Sequence, residues 1–117
     1  MSSNDIREIP SSGQGNFTHI VFFWLKKKDK EDHKVFEASL IKFLKSSKYI
    51  KTMHVGRPAD TNREVIDSSY SYCLSLTFAN EEDQAAYQEE KVHKIFIEES
   101  SNLWEKVVVY DSENILK

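Results

Sequence analysis

The segment Phe17–Leu25, FTHIVFFWL, is apolar on both of its faces. In an extended chain His19, Val21, Phe23 and Leu25 lie on one side and Ile20, Phe22 and Trp24 on the other, because successive side chains alternate. Its β-branched and aromatic residues favour a strand, and such a strand needs cover on two sides. A single layer of helices supplies one. Burying a large apolar side chain is worth about 1.5–3 kcal/mol, so leaving several in water forfeits stability and invites aggregation. The segment Trp104–Tyr110, WEKVVVY, repeats the pattern, with Val107 and Val109 set against Val108 and Tyr110. The sequence therefore predicts a homodimer, sheet against sheet across a two-fold axis, with Ile20, Phe22, Trp24, Cys73, Val107 and Val109 at the interface. The alternative is a monomer with an open apolar groove for a lipid-like ligand.

The remaining elements follow from periodicity. Lys26-Lys27-Lys28 closes the first strand as a solvated strand end. Asp29 is placed to cap a helix, with Glu31 and Asp32 near the positive end of its dipole. Phe36, Leu40, Phe43 and Leu44 then mark one buried stripe as far as about Ser46. Ile50–Val55 reads as a second strand closed by Gly56-Arg57-Pro58, with a polar loop beyond it to about Ser69. Tyr70–Phe78 alternates Tyr70, Tyr72, Leu74, Leu76 and Phe78 with Ser71, Cys73, Ser75 and Thr77. Asn80 caps a second acidic-fronted helix reaching about Ser100, and Trp104–Tyr110 is the last strand. The order β-α-β-β-α-β gives an α+β chain of the ferredoxin-like kind, a four-stranded antiparallel sheet with two helices on one face. The first and third strands, the most apolar, are expected at its centre as parallel neighbours. Residues 17–113 form this one domain, preceded by a polar tail at 1–16 and followed by a short tail at 114–117.

Composition excludes several classes of function. Sixteen basic residues against nineteen acidic ones leave a net charge of −3, a poor basis for binding nucleic acid. Three glycines and two prolines are too few for a sandwich or barrel made of tight turns. Cys73 stands alone, so no internal disulfide forms, and a reducing cytoplasm fits best. No apolar run is long enough to span a membrane, and Met1-Ser2-Ser3-Asn4-Asp5 lacks the layout of a secretory signal. Gly13-Gln14-Gly15 precedes a strand instead of opening a helix, which argues against a phosphate loop. His33 and His54 show no metal-ligand spacing, and neither a metal nor a cofactor is expected.

Four blocks in order, THIVFFWL, the strand Tyr70–Phe78 with Ala79-Asn80, AYQEEKVH and LWEKVVVYDS, resemble the stress-responsive dimeric α/β-barrel (Dabb) domain family over about residues 17–112. The resemblance implies a ferredoxin-like protomer that pairs its sheet with a partner's, and for most members no established biochemical activity. One plant branch is a polyketide cyclase that closes a ring by intramolecular aldol condensation in a pocket between sheet and helices. Carried over by position, its first-strand histidine is His19, its helix tyrosine Tyr87 and its catalytic histidine His93. Its third-strand histidine is replaced by Tyr72 and its first-helix tyrosine by about Leu40. Its His-Pro pair is Glu90-Lys91 here, and without that proline the helix is expected to run on uninterrupted.

His19 faces inward, and parallel pairing of the first and third strands would bring Tyr72 beside it as an acid–base pair. The plainer expectation is a buried histidine bonded to a tyrosine or a carbonyl. His93, among Ala86, Val92, Ile95 and Phe96, is a candidate general base, or a haem ligand of the kind used by dimeric α/β-barrel haem oxygenases; its plainer reading is a histidine at a core edge. Tyr72 and Tyr87 would orient the oxygens of a small hydrophobic or polyketide-like ligand, unless they only pack. Cys73 is expected as a small packing thiol at the dimer interface.

Overall fold

The computed structural model describes residues 15–116, so the expected N-terminal tail lies, up to residue 14, outside the described residues. The elements are β1 Phe17–Leu25, α1 Lys30–Ser46, β2 Thr52–Gly56, β3 Tyr72–Phe78, α2 Glu81–Glu89, α3 Lys91–Ser100, a 3₁₀ turn Ser101–Leu103 and β4 Trp104–Glu113. The four strands form one sheet in the order β2-β3-β1-β4. Every neighbouring pair is antiparallel, β1 with β3 included, which corrects the expected parallel pairing. No helix among the described residues is long and apolar enough to cross a membrane.

Local chemistry sets the helix starts. Asp29 accepts a hydrogen bond from the Asp32 N–H at 2.9 Å and Asn80 accepts one from the Asp83 N–H at 2.8 Å, so each cap satisfies a backbone donor that its helix cannot. On α1 the stripe Phe36, Leu40, Phe43 and Leu44 is buried as its spacing predicts. It packs on the inward row of β1 and on Tyr72, Leu74, Leu76 and Phe78 of β3. Phe36 meets Phe23 at 5.0 Å between ring centroids and stacks on Tyr72 at 5.0 Å. Phe96 of α3 stacks on Phe43 at 5.1 Å and reaches Trp104 at 5.9 Å, tying both helices to β4.

Two expectations are corrected. The second helix does not run through to Ser100; it breaks at Glu90 into α2 and α3, giving three α-helices in place of two. Val107 and Val109 do not share a face with Ile20, Phe22 and Trp24. Their strand partners are Phe23 and Val21, so they lie on the helix side, whereas Val108 and Tyr110 pair with Phe22 and Ile20. Cys73 pairs with Phe22 and does belong to the outer face. On that face Phe22 packs edge-on against Tyr70 and Tyr110, and the Lys106 ammonium sits 4.5 Å from the centre of the Trp24 ring.

Phe36 is fully buried at the meeting of α1, β1 and β3. Phe36→Ala should cost about 3–5 kcal/mol of unfolding free energy, while Val65→Ala, in the exposed loop, should stay within about 0.5 kcal/mol. Urea denaturation of the two variants checks both.

Candidate functional site

Three of the four sequence-predicted site residues converge. His19 from β1, Tyr87 from α2 and His93 from α3 line a cavity of about 190 Å³ between the sheet and the helices. Its other walls are mainly apolar: Val21, Phe23, Leu74, Phe43, Phe96 and Trp104, with Val107 and Val109 on the edge strand. The Tyr87 ring lies 5.8 Å from His19 and 5.1 Å from His93, all edge-on.

His19 is buried, and its Nδ1 is 2.6 Å from a carboxylate oxygen of Asp111. A carboxylate only accepts, so Nδ1 carries the proton of this bond and the ring turns Nε2 away from Asp111. His19 and Asp111 are direct cross-strand partners in the β1–β4 ladder, which fixes the contact through register. This replaces the His19–Tyr72 pair that the sequence suggested.

Tyr87 is 2% exposed and its hydroxyl bonds no other described side chain, while the one fully buried side-chain polar atom left unpaired among the described residues is the Ser100 hydroxyl. Burial, followed by the charge of Glu90, pushes the Tyr87 pKa up, so it stays a neutral donor. His93 likewise has no side-chain hydrogen bond among the described residues. Burial first and the nearby His19 second hold its pKa below the usual 6.5, so at neutral pH it is an uncharged imidazole able to accept a proton. The cavity thus combines apolar walls, a neutral base, a protonated hydroxyl and a carboxylate-oriented histidine.

Tyr72 lies elsewhere. It pairs with Phe23, four positions along β1 from His19, and its hydroxyl donates to Glu37 while accepting from His33 Nδ1 at 2.8 Å. Burial, with the Glu37 hydrogen bond and charge next, pushes its pKa up. This trio borders a separate open groove of about 690 Å³, rimmed by Lys28, Lys30, Lys34 and Arg57. Sequence reasoning missed Glu37 and His33 as partners of Tyr72, although their i, i+4 spacing puts them on one helix face. It missed Asp111 as well, having ended the last strand at Tyr110. Among the described residues no group of three or more His, Cys, Asp or Glu side chains is gathered as a metal site.

The depressed pKa of His93 carries a sign. Between its folded value and 6.5 the unfolded chain binds the extra proton, so this part of the stability is complete above pH 6.5 and is lost as the pH falls through the folded value. Replacing the imidazole removes that component. The stability of the parent relative to His93→Gln should therefore shrink on acidification from about pH 7.5 to 5.5, read from urea titrations; a difference that stays constant would refute the assignment.

The fold recurs in solved structures. A Dabb family protein with a ferredoxin-like fold from Mesorhizobium loti superposes with a TM-score of 0.72 at 23% identity, over 87% of this chain and 99% of that one. A hydroxynitrile lyase from Passiflora edulis gives 0.72 at 19% identity, over 89% and 97%. A dimeric ferredoxin-like protein of unknown function from Thermobifida fusca gives 0.70 at 15% identity, over 90% and 97%. No curated protein matches the chain. The family model of the stress responsive A/B barrel domain (Dabb) matches residues 17–114, and the chain belongs to that family.

Proposed function

We propose that the helix-side cavity binds a small, mainly apolar molecule bearing an oxygen, and that His93 and Tyr87 serve it as base and hydrogen-bond donor. The observation that carries this reading is the convergence of His19, Tyr87 and His93 on one mainly apolar cavity, in which neither the Tyr87 hydroxyl nor the half-buried His93 imidazole bonds another described side chain. A cavity of 190 Å³ is somewhat larger than the roughly 150 Å³ that accepts benzene in an engineered protein. That volume suits a ligand the size of one aromatic ring better than a long polyketide or a haem with its four pyrrole rings. His19, held by Asp111, supplies a second polar contact. The chemistry open to such a site is proton transfer from a carbon next to a carbonyl, or from a hydroxyl, with no cofactor.

The same reading includes a homodimer. Ile20, Phe22, Trp24, Val108 and Tyr110 share the sheet face that no helix covers, and Cys73 lies among them. A second copy placed face to face would cover these side chains, and the similar fold from Thermobifida fusca is described as dimeric. Val107 and Val109 leave the interface in this arrangement and stand at the cavity instead.

Phenol and benzaldehyde are suitable probes of the cavity. Either should cause saturable NMR shifts at the Tyr87 and His93 rings, and Tyr87→Phe should weaken binding by about 2- to 10-fold, the worth of one neutral hydrogen bond. Acetone tests the proton transfer: the protein should accelerate deuterium uptake at its methyl groups in heavy water, and His93→Ala should lower that acceleration by about 100-fold or more. Shifts confined to other residues would remove the binding reading, and an unchanged exchange rate in His93→Ala would remove the acid–base part. Light scattering should return twice the chain mass, and Phe22→Asp should return one.

A further inference from the structure

The break between α2 and α3 occurs where the sequence holds neither proline nor glycine. Glu90 sits at the joint with φ −61° and ψ 142°, an extended residue between two helices. Its N–H turns back to the Tyr87 carbonyl at 3.2 Å, and its own carbonyl starts α3 by accepting from the N–H groups of His93 and Lys94 at 3.1 and 3.2 Å. A break of this kind interrupts the hydrogen-bond ladder, so something outside the helix must hold it.

The Glu90 carboxylate is that hold. One oxygen accepts from the Ser47 hydroxyl and the other from the Lys48 N–H at 3.0 Å, so both oxygens are bound just beyond the end of α1. Hydrogen bonds to a charged acceptor are about twice as strong as neutral ones. The Ser47 N–H is itself bonded to the Leu44 carbonyl, so the latch rests on a formed helix end.

The break matters for the cavity. On an unbroken helix two residues six positions apart point about 120° away from each other and are separated by about 9 Å along the axis. Tyr87 and His93 are six positions apart, yet their rings lie 5.1 Å apart and line the same cavity. Only the turn at Glu90 brings them together. We propose that Glu90 is a positioning residue whose carboxylate, latched onto the end of α1, sets the helix break that aims His93 at Tyr87. The proposal rests on the reading of these two side chains as the working pair of the cavity.

Three variants of the full chain test it, with the Tyr87–His93 ring-to-ring NOE as a readout of position and phenol affinity as a readout of the site. Glu90→Ala should abolish the NOE and weaken phenol binding at least tenfold. Glu90→Gln, which can still bond both Ser47 and Lys48, should keep the NOE. Glu90→Ala combined with Lys91→Pro should restore it, because proline is at home as the first helical residue and holds the preceding residue extended. The Lys91 N–H makes no backbone bond that this change would remove. Should Glu90→Ala fail to fold, Ser47→Ala removes half of the latch and should weaken the NOE. An NOE that survives Glu90→Ala or is undiminished in Ser47→Ala overturns the proposal, as does its loss in Glu90→Gln or a failure of the proline to restore it. If the NOE follows this pattern while no chain binds phenol, the positioning role stands and the reading of the cavity falls.

Discussion

β1 lies between β3 and β4 with both of its hydrogen-bonding edges occupied, and the rest of the molecule is arranged by what its two faces carry. The inward row His19, Val21, Phe23 and Leu25 is buried beneath the helices. Three of these four are apolar and join the Phe36–Phe43–Phe96 cluster that joins α1 and α3 to the sheet. The fourth is a histidine, a polar group admitted to the core because Asp111 satisfies it. The site is thus continuous with the core: a gap in the aromatic packing next to the one polar residue on the inward row of β1.

Antiparallel register then decides which chemistry meets which. A shift of one residue would turn His19 to the outer face and Ile20 to the helices. The observed register opposes His19 to Asp111 on one side and to Leu76 on the other, so a carboxylate flanks it across β4 and an apolar residue across β3. Tyr72, two pleats further along, falls under the start of α1, where Glu37 and His33 bind its hydroxyl. The two histidine–tyrosine neighbourhoods are therefore separate, one mainly apolar between sheet and helices, the other a groove rimmed by basic side chains.

Much of this was legible in the sequence because burial leaves a periodic trace. The alternation in β1 and β3 and the stripe on α1 are core signals, and the residues they mark are buried except Tyr70, which precedes β3 and packs on Phe22 of the outer face. The outer face of β1 was legible for the same reason. Where periodicity carried no information, the reading failed. Three consecutive valines in β4 look alike in either parity, and the irregularity in pairing between Trp24 and Leu25 is invisible without the partner strand. Asp111, Ser112 and Glu113 are poor strand formers held extended by their partners on β1, so the strand was ended early and the carboxylate was lost with it. The helix break escaped notice because its cause is a tertiary contact more than forty residues away in sequence.

The position of the cavity on β4 has a further consequence. Val107 and Val109 stand at its wall on the last strand of the sheet, and both remain about half exposed, at 41% and 49%. Residues that border the cavity yet bear little of the packing load are free to vary in bulk without disturbing the aromatic cluster behind them. Under the proposed binding role, discrimination among guests would be uncoupled from the capacity to fold, and exchanging two side chains at the rim would change what the cavity accepts.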